Sequence, residues 1–380
     1  MKRIYLDNAA TTPTDSDVFE KIKPYYTEWF GNPDSPHGVG RKAMQAVDDA
    51  RDRLAALIGA NPNETYFTSG GTESDNWAIL GGARAKRKEG KTRVVISAIE
   101  HHAALYAANT LQAEGFEVAF LPVNAGGRVE MNELERAITP QTGLVALMWA
   151  NNETGVLQPI EQACTFAHEQ GALFFTDAVQ AAPYLPIDVK ALGVDMLSLS
   201  GHKFHGLKGS GALYIRNSVK IEKLVGGGEQ ERGLRGGTVN VAGVVALSAA
   251  YEKTRKEQAQ TNAKLQKLSE LFRKEISSLK GVTRNGETEN ALPSILNLRL
   301  EGVENTAFLY KMDLRGVCLA AGSACASASV KPSHVLTAMG LTERAAKESV
   351  RLSFGKTNTE EEIIEAARLT VQTVNELRQG

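Results

Sequence analysis

The sequence is poor in cysteine and has no long apolar run. Its 380 residues include three cysteines, Cys164, Cys318 and Cys325, and their odd number and spacing match neither a disulfide framework nor a paired metal-ligand pattern. No stretch reaches the length that a membrane span needs, and the first residues lack the apolar core of a signal peptide. We therefore expect a cytoplasmic protein without a metal site or membrane contact, and with at least one free, reactive thiol.

Neither sign of charge is in excess. The chain has 43 Lys and Arg residues against 44 Asp and Glu, a balance that argues against a surface for nucleic acid or for an anionic membrane. The expected partner is a small molecule or another protein. No internal repeat or low-complexity tract is present, so a globular enzyme or binding protein is the natural expectation.

The pattern of apolar residues predicts an α/β fold. Between about residues 92 and 216, apolar runs suited to buried strands alternate with helical patterns, which is typical of a mostly parallel sheet covered by helices. The predicted strands are residues 93–97, 117–122, 144–149, 172–177, 195–200 and 211–216. The first five end in polar loops, where open α/β sheets place their ligands.

The last third of the chain has a different pattern. A long amphipathic helix is predicted between Tyr251 and Lys280, with apolar residues at steps of three and four. Strands are predicted near residues 295–300 and 349–354, with a helix near 304–315 and another at the end. At 380 residues the chain exceeds what one core usually serves, so we expect a second, smaller α+β domain here.

Lys203 follows a predicted buried strand at the edge of the sheet where a ligand would lie. Most lysines are solvated surface groups, and this reading remains open for Lys203 taken alone. A lysine held in a pocket loses its proton readily and can form a Schiff base with an aldehyde cofactor. Its neighbours in the sequence favour that interpretation.

Asp177 ends the apolar run 172–177, where a carboxylate is costly to bury without a cationic partner such as a protonated pyridine ring. The alternative is that Asp177 caps a helix. Gln180, three residues later, is placed to reach a phenolic oxygen on such a ring. An acid and an amide therefore follow one strand end, and Lys203 follows another.

Two further loops carry polar groups. Residues 68–74 hold the pair Gly70 and Gly71 between hydroxyl residues, before a predicted helix over 76–87, and backbone amides at such a helix start bind phosphate. The same residues would also suit an ordinary turn. His101 or His102 follows another strand end and can stack on a planar group or move protons near neutral pH, and residues 151–155 offer amide groups.

Taken together, these segments resemble the cysteine desulfurases of the NifS- and IscS-like subgroup of fold-type I, class V enzymes that depend on pyridoxal 5'-phosphate (PLP). The resemblance covers nearly the whole chain, and the order and spacing of its segments make it specific. The segments are residues 5–12, 31–33, 69–76, 100–101, 151–153, 177–180, 200–203, 235–238, 322–325 and Arg351.

The resemblance implies a fold and a set of roles. The fold would have a large domain of residues 14–255 with a mostly parallel seven-stranded sheet, and a small domain of residues 1–13 and 256–380. Lys203 would hold PLP as a Schiff base, with Asp177 on the ring nitrogen, Gln180 on the ring oxygen and His101 stacked over the ring. The remaining implied contacts are Gly71, Thr72, Ser200 and His202 at the cofactor and its phosphate, Thr238 from the partner subunit of a homodimer, and Asn32, Asn152 and Arg351 at the substrate, with Asn152 also near the cofactor.

Cys325 separates this subgroup from its transaminating relatives. It lies in a run of small residues, 320–329, which we expect to be mobile. The implied reaction is removal of sulfur from L-cysteine, with Lys203 taking the Cα proton and Cys325 keeping the sulfur as a persulfide. The sulfur would then pass to a protein acceptor, either a scaffold for iron–sulfur clusters or a tRNA-thiolating enzyme, without direct contact to nucleic acid.

Other functions remain open at this point. The same cofactor apparatus serves class V aminotransferases and related lyases, and selenocysteine is an alternative substrate. A sulfur-carrying or assembly subunit without catalytic activity is a third possibility. Cys325, Lys203 and Asp177 together favour the desulfurase.

Overall fold

The structure of the protein is a computed structural model that describes residues 3–287, 289–322 and 331–379. Its strands are β1 (Ile4–Tyr5), β2 (Thr65–Thr68), β3 (Arg93–Ser97), β4 (Glu117–Leu121), β5 (Thr142–Ala146), β6 (Leu173–Asp177), β7 (Met196–Ser200), β8 (Gly211–Ile215), β9 (Val282–Arg284), β10 (Ile295–Leu300), β11 (Val317–Cys318) and β12 (Ser349–Ser353). Its α-helices are α1 (Ser16–Ile22), α2 (Pro24–Thr27), α3 (Gly38–Leu57), α4 (Gly71–Asn76), α5 (Gly82–Arg87), α6 (His102–Ala113), α7 (Met131–Ala137), α8 (Ile160–Glu169), α9 (Val189–Leu192), α10 (Val241–Glu275), α11 (Asn305–Leu314), α12 (His334–Ala338), α13 (Glu343–Lys347) and α14 (Glu360–Gln379).

The largest sheet has seven strands in the order β2-β8-β7-β6-β5-β3-β4. The strands from β7 to β4 run parallel, and β8 is antiparallel to both of its neighbours. The predicted α/β fold with a mostly parallel seven-stranded sheet is therefore confirmed. The six strands predicted from apolar runs all occur, although β5 begins and ends a few residues earlier than expected.

Both faces of this sheet are buried, which explains why its strands are continuous apolar runs. Along β3, Val95 packs into the core on one face, whereas Val94 and Ile96 pack into the core on the other. Phe174 and Phe175 in β6 divide in the same way. Since apolar side chains point to both faces, the polar groups of these strands gather at their carboxyl ends.

Two smaller sheets lie in the last third of the chain and use its first residues. The order β12-β10-β9 forms an antiparallel sheet, and β1 pairs in parallel with β11. Two residues after β1, Asp7 forms a parallel β-bridge with Ser353 of β12. The division into domains at residues 13/14 and 255/256 stays a prediction, and the second of these boundaries falls inside α10.

The long amphipathic helix is present but begins ten residues before the prediction. Its first part, from Val241 to Tyr251, is buried on all sides, so it lacks the polar face that made the rest recognisable. From there α10 extends along α3 and α14. Neither α10 nor any other helix among the described residues is long and apolar enough to cross a bilayer.

An ion pair joins the end of α8 to the start of β7. His168 Nε2 lies 2.8 Å from Asp195 Oδ2, and the same carboxylate accepts the N–H of Phe174. The hydrogen bond to Asp195, followed by the contact with Cys164, raises the pKa of His168 to about 10. The charged imidazole lies in the last turn of the helix, where a cation is favoured.

We predict that His168 stabilises the fold only while it is charged. Because its pKa in the folded chain exceeds the unfolded value of about 6.5, the contribution is complete below that pH and is lost as the pH rises through about 10. His168→Gln should lower the free energy of unfolding by about 1–2 kcal/mol at pH 6, a figure reduced by the one-third exposure of the ring. Urea unfolding at pH 6 and pH 10 tests this, and an equal deficit at both would contradict it.

Candidate active site

The carboxyl ends of the parallel strands open into one cleft of about 730 Å³. Its walls come from the loops after β3, β5, β6 and β7, from the start of α4, from the N-terminal segment and from β12. The lining residues are Ala9, Ala10, Gly71, Thr72, Asp75, His101, Met148, Asn152, Asp177, Val179, Gln180, Ser200, His202, Lys203 and Arg351. Stretches that are far apart in the sequence therefore meet at one place.

Lys203 lies on the short helical turn that follows β7. Its Nζ donates hydrogen bonds to the carbonyl oxygens of Ala9 and Ala10, at 2.5 and 3.0 Å. The turn itself is held to the N-terminal segment, because Thr12 Oγ1 donates to the carbonyl of His202 at 2.9 Å. Lys203 is therefore a half-buried amine inside the cleft, and the surface-lysine alternative is excluded.

Asp177 ends β6 with its carboxyl group buried in the same cleft. Burial raises the pKa of Asp177 to about 6, and the hydrogen bond from the N–H of Val179 and the charge of Lys203 oppose that rise. The contact with Val179 is made within a turn, at 2.8 Å. A cationic ring nitrogen placed here would compensate the buried carboxylate.

Gln180 also faces the cleft, and its Nε2 donates to the carbonyl of Ala9 at 2.8 Å. That carbonyl accepts from Lys203 as well. The amide and the amine thus share one acceptor, which places Gln180 beside the Lys203 amine.

His101, rather than His102, lines the cleft. Its Nδ1 accepts the N–H of Ala103 at the start of α6, and burial, followed by the charge of Lys203, lowers its pKa to about 4. The ring is therefore neutral near pH 7. His102 packs against His334 instead, with ring centroids 4.6 Å apart and the ring planes tilted by 47°.

The glycine pair forms a tight turn between β2 and α4. Gly70 has φ of 149°, and a Cβ added to Gly71 would approach Val179 Cγ2 to 2.9 Å. A second cleft of about 670 Å³ adjoins this turn and is lined by Thr72, Ser200 and His202 together with Lys208. Backbone amides, hydroxyls and a lysine around one space suit a phosphate group.

Arg351 lies on β12 and is 1% exposed. Its Nη1 donates to the carbonyl of Asn152 at 2.8 Å, and its Nη2 pairs with Asp7 Oδ1 at 2.7 Å. Nε is buried and has no hydrogen-bond partner among the residues that the structure describes. A buried guanidinium with an unsatisfied N–H in a cleft suits a carboxylate ligand.

Two of the expected site residues, Asn32 and Thr238, do not line this cleft. Asn32 is exposed on the loop before α3, where its Oδ1 accepts the N–H of Asp34. Thr238 lines a neighbouring cleft with Ser69 and Arg235. Cys325 lies outside the described residues.

Asp75, Met148 and Val179 also line the cleft, although no sequence pattern indicated them. Asp75 was missed because the helix was expected to start at residue 76, whereas α4 starts at Gly71. An acid just before a predicted helix suggests a solvated end. The early start instead turns Asp75 inward against β7, where it is fully buried.

The chain matches known proteins along almost its whole length. Residues 4–365 match the model of the family described as aminotransferase class-V. The chain belongs to this family. Its enzymes depend on PLP in general.

Within the class-V family, the relatives are named cysteine desulfurases. The cysteine desulfurase IscS of Methanosarcina thermophila is 45% identical over 377 residues, which cover 99% of this chain and 93% of the relative. The cysteine desulfurase of Pongo abelii is 42% identical and covers 100% of this chain and 83% of its own. The chain thus falls in the NifS- and IscS-like subgroup.

Solved structures agree with that placement. A NifS-like protein superposes with a TM-score of 0.93 at 35% identity, covering 98% of this chain and 99% of the other. A structure described as SspA in complex with cysteine has a TM-score of 0.83 at 38% identity, covering 93% and 99%. The class V, fold-type I assignment is confirmed.

We predict that Lys203 depresses the pKa values of two histidines in this class-V site. Its charge lowers the pKa of His101 and of His202, after the larger effect of burial, whereas Lys208 acts on His202. In the cofactor-free protein, Lys203→Met should raise both pKa values toward, but not to, the ordinary value of about 6.5. The matched control Lys208→Met should raise that of His202 alone. NMR titration of the ring protons tests this, and a rise for His101 in the Lys208 variant would refute it.

Proposed function

We propose that this enzyme removes sulfur from L-cysteine, releasing L-alanine and leaving a persulfide on Cys325, with PLP bound at Lys203. The observation that carries the proposal is the meeting of Lys203, Asp177 and Arg351 in one cleft. An amine, a buried acid and a buried guanidinium are the groups needed to hold an aldehyde cofactor and the carboxylate of an amino acid. The names of the relatives support cysteine as that amino acid.

The residues present fit PLP. When bound, this cofactor supplies an electron sink for the α-carbon of an amino acid. Lys203 would carry it covalently, Asp177 would face its ring nitrogen, and Gln180 would face its ring oxygen. Its phosphate would occupy the cleft beside Gly71, where Thr72, Ser200 and His202 offer donors, and His101 would cover the ring as a neutral imidazole.

Arg351 would bind the substrate carboxylate. The contacts with Asn152 and Asp7 hold its plane in place, and Nε is left for a new acceptor. Because the guanidinium is almost completely buried, the local dielectric constant is low, and a bound carboxylate would attract it more strongly than in water. Asn152 and its neighbours after β5 would complete the substrate pocket.

The proton steps fall to Lys203 and the sulfur step to Cys325. With the cofactor supplying the electron sink, the Lys203 amine would take the Cα proton and return it to the α-carbon after sulfur transfer. The Cys325 thiolate then attacks the substrate sulfur, so an S–S bond forms, the C–S bond breaks, and its electron pair goes to the carbon that becomes the alanine methyl group after protonation. Cysteine and one enzyme thiol thus give alanine and one persulfide, with no outside oxidant or reductant.

Two finer points complete the proposal. The persulfide would pass to a protein acceptor, either an iron–sulfur scaffold or a tRNA-thiolating enzyme.

Thr238 would bind the phosphate in the partner subunit of a homodimer. Its position is consistent with this role, because it lines a cleft beside Ser69 and lies apart from Lys203 of its own subunit. Asn32 would contact the substrate by the same resemblance.

The decisive experiment replaces the thiol. Cys325→Ala should keep bound PLP and its visible absorbance but form alanine from cysteine at least about 100-fold more slowly, because the sulfur has no acceptor. The matched control is Cys318→Ala, at a half-buried cysteine beside Arg3, and it should keep full turnover. Alanine is measured by chromatography in the absence of any α-keto acid.

Two outcomes would contradict the proposal. Full turnover of Cys325→Ala would remove that thiol from the reaction. Alanine that forms only when pyruvate is added, as the product of amino transfer to pyruvate, would identify an aminotransferase instead.

A second prediction concerns the phosphate turn. Gly71→Ala should reduce PLP retention about tenfold, because the added Cβ would meet Val179 Cγ2 at 2.9 Å and displace the turn. Gly38→Ala is the matched control, since Gly38 is also the first residue of a helix but a Cβ there meets only Arg41 Nη2, at 3.8 Å. PLP content after gel filtration measures the effect, and equal retention in the two variants would count against the assignment.

A further inference from the structure

Three carboxyl groups lie close together behind the proposed cofactor site. We call Asp75, Glu100 and Asp177 the acid cluster. All three are buried, with exposures of 1%, 0% and 5%. They come from α4, from the loop after β3 and from the end of β6, so only the fold brings them together. Asp177 has an assigned role, whereas Asp75 and Glu100 have none.

The hydrogen-bond partners of the two extra acids are neutral groups. Ser198 Oγ lies 2.7 Å from Asp75 Oδ1, and the N–H of Met148 donates to Glu100 Oε1 at 2.6 Å. Glu100 Oε2 is buried and has no hydrogen-bond partner among the described residues. A carboxylate in such surroundings would be poorly stabilised, whereas a neutral carboxylic acid is tolerated.

Like charges in the cluster also oppose one another. Burial first, and then the charge of Asp177, raises the pKa of Asp75 well above its ordinary value. Burial raises the pKa of Glu100 to about 8, with a further rise from Asp177. The pKa of Asp177, at about 6, is held down by its backbone hydrogen bond, by Lys203 and by Ser198. Of the three acids, Asp177 is therefore the one on which a negative charge is best stabilised.

Ser198 connects two members of the cluster. It is paired with Asp177 across β6 and β7, its hydroxyl helps to lower the pKa of Asp177, and it also contacts Asp75. If Asp75 carries a proton, its O–H can donate to Ser198 Oγ, which leaves the serine O–H to donate to Asp177. An ionised Asp75 would draw the serine proton to itself and take that hydrogen bond from Asp177.

We propose that Asp75 is a positioning residue that stays protonated and, through Ser198, keeps Asp177 ionised and oriented toward the cofactor ring. The proposal rests on the PLP site proposed above. It explains why a second aspartate lines the cleft beside Asp177. The neutral, donating form of Asp75 is the active one, so an isosteric amide should replace it.

The first test detects the proton on Asp75 by infrared spectroscopy. Carboxylic acids give an infrared C=O band that carboxylates lack, and at pH 7.5 exposed Asp and Glu side chains are ionised. Purified holoenzyme should show such a band, Asp75→Asn should lose one component of it, and Glu100→Gln should lose another. An unchanged band in Asp75→Asn would overturn the proposal.

The second test compares cofactor affinity among matched variants. Asp75→Asn should hold PLP within about twofold of the wild type, because the amide N–H can donate to Ser198. Ser198→Ala and Asp75→Ala should each weaken PLP binding about tenfold, since Asp177 loses a hydrogen bond to its charged form. Circular dichroism checks that each variant is folded.

The results distinguish a failure of the proposal for Asp75 from a failure of the proposed PLP site. Asp75→Asn binding PLP as weakly as Asp75→Ala would show that the charge of Asp75 is needed, which would overturn the inference while leaving the cofactor site intact. A wild-type protein that binds no PLP would overturn the proposed function, and the infrared test would still report the proton on Asp75. If Asp75→Ala fails to fold, the comparison of Asp75→Asn with Ser198→Ala decides.

Discussion

The burial of charge is the constraint on which this cleft depends. Asp177, Arg351 and the half-buried Lys203 lie where water is largely excluded, and each would be costly without compensation. The chain compensates Arg351 with Asp7 and a backbone carbonyl, and Lys203 with two backbone carbonyls. For Asp177 the compensation is partial, as its raised pKa shows. A cationic group bound beside it would complete the balance, so affinity for such a group is built into the electrostatics.

A short N-terminal segment fixes the positions of these charged side chains relative to one another. Residues 7–12 cross between the large sheet and the smaller sheets. At one end, Asp7 pairs with Arg351. Farther along, the Ala9 carbonyl accepts hydrogen bonds from Gln180 and Lys203, and Thr12 donates to the carbonyl of His202. These contacts join β12 to the loops after β6 and β7. The segment carries little apolar surface of its own, so hydrogen bonds fix its path. A shift of this segment by one residue would move the carbonyl acceptors of Lys203 and the carboxylate that pairs with Arg351 out of place together.

Much of the architecture could be predicted from the sequence because buried parallel strands are apolar on both faces. The runs around Val95, Phe174 and Leu197 therefore stood out, and their polar ends identified Asp177 and Lys203. The start of α10 could not be found in this way, since complete burial removes the amphipathic pattern. Asp75 was missed for a related reason: a buried acid in a helix resembles a solvated one until its tertiary neighbours are known. The positions of Asn32 and Thr238 outside the cleft depend on how separate loops pack, which no local pattern records.

The geometry of Arg351 links recognition to preorganisation. Each of its two terminal nitrogens already donates one hydrogen bond, to the carbonyl of Asn152 and to Asp7, so the guanidinium plane is restrained before any ligand arrives. A ligand carboxylate that meets the unsatisfied Nε therefore pays little entropy for ordering the arginine. Lysine at this position would lack the planar fork that can meet both oxygens of a carboxylate. The fixed arginine, the acid cluster and the lysine turn share one principle, in which the fold holds polar groups in fixed positions before any ligand binds.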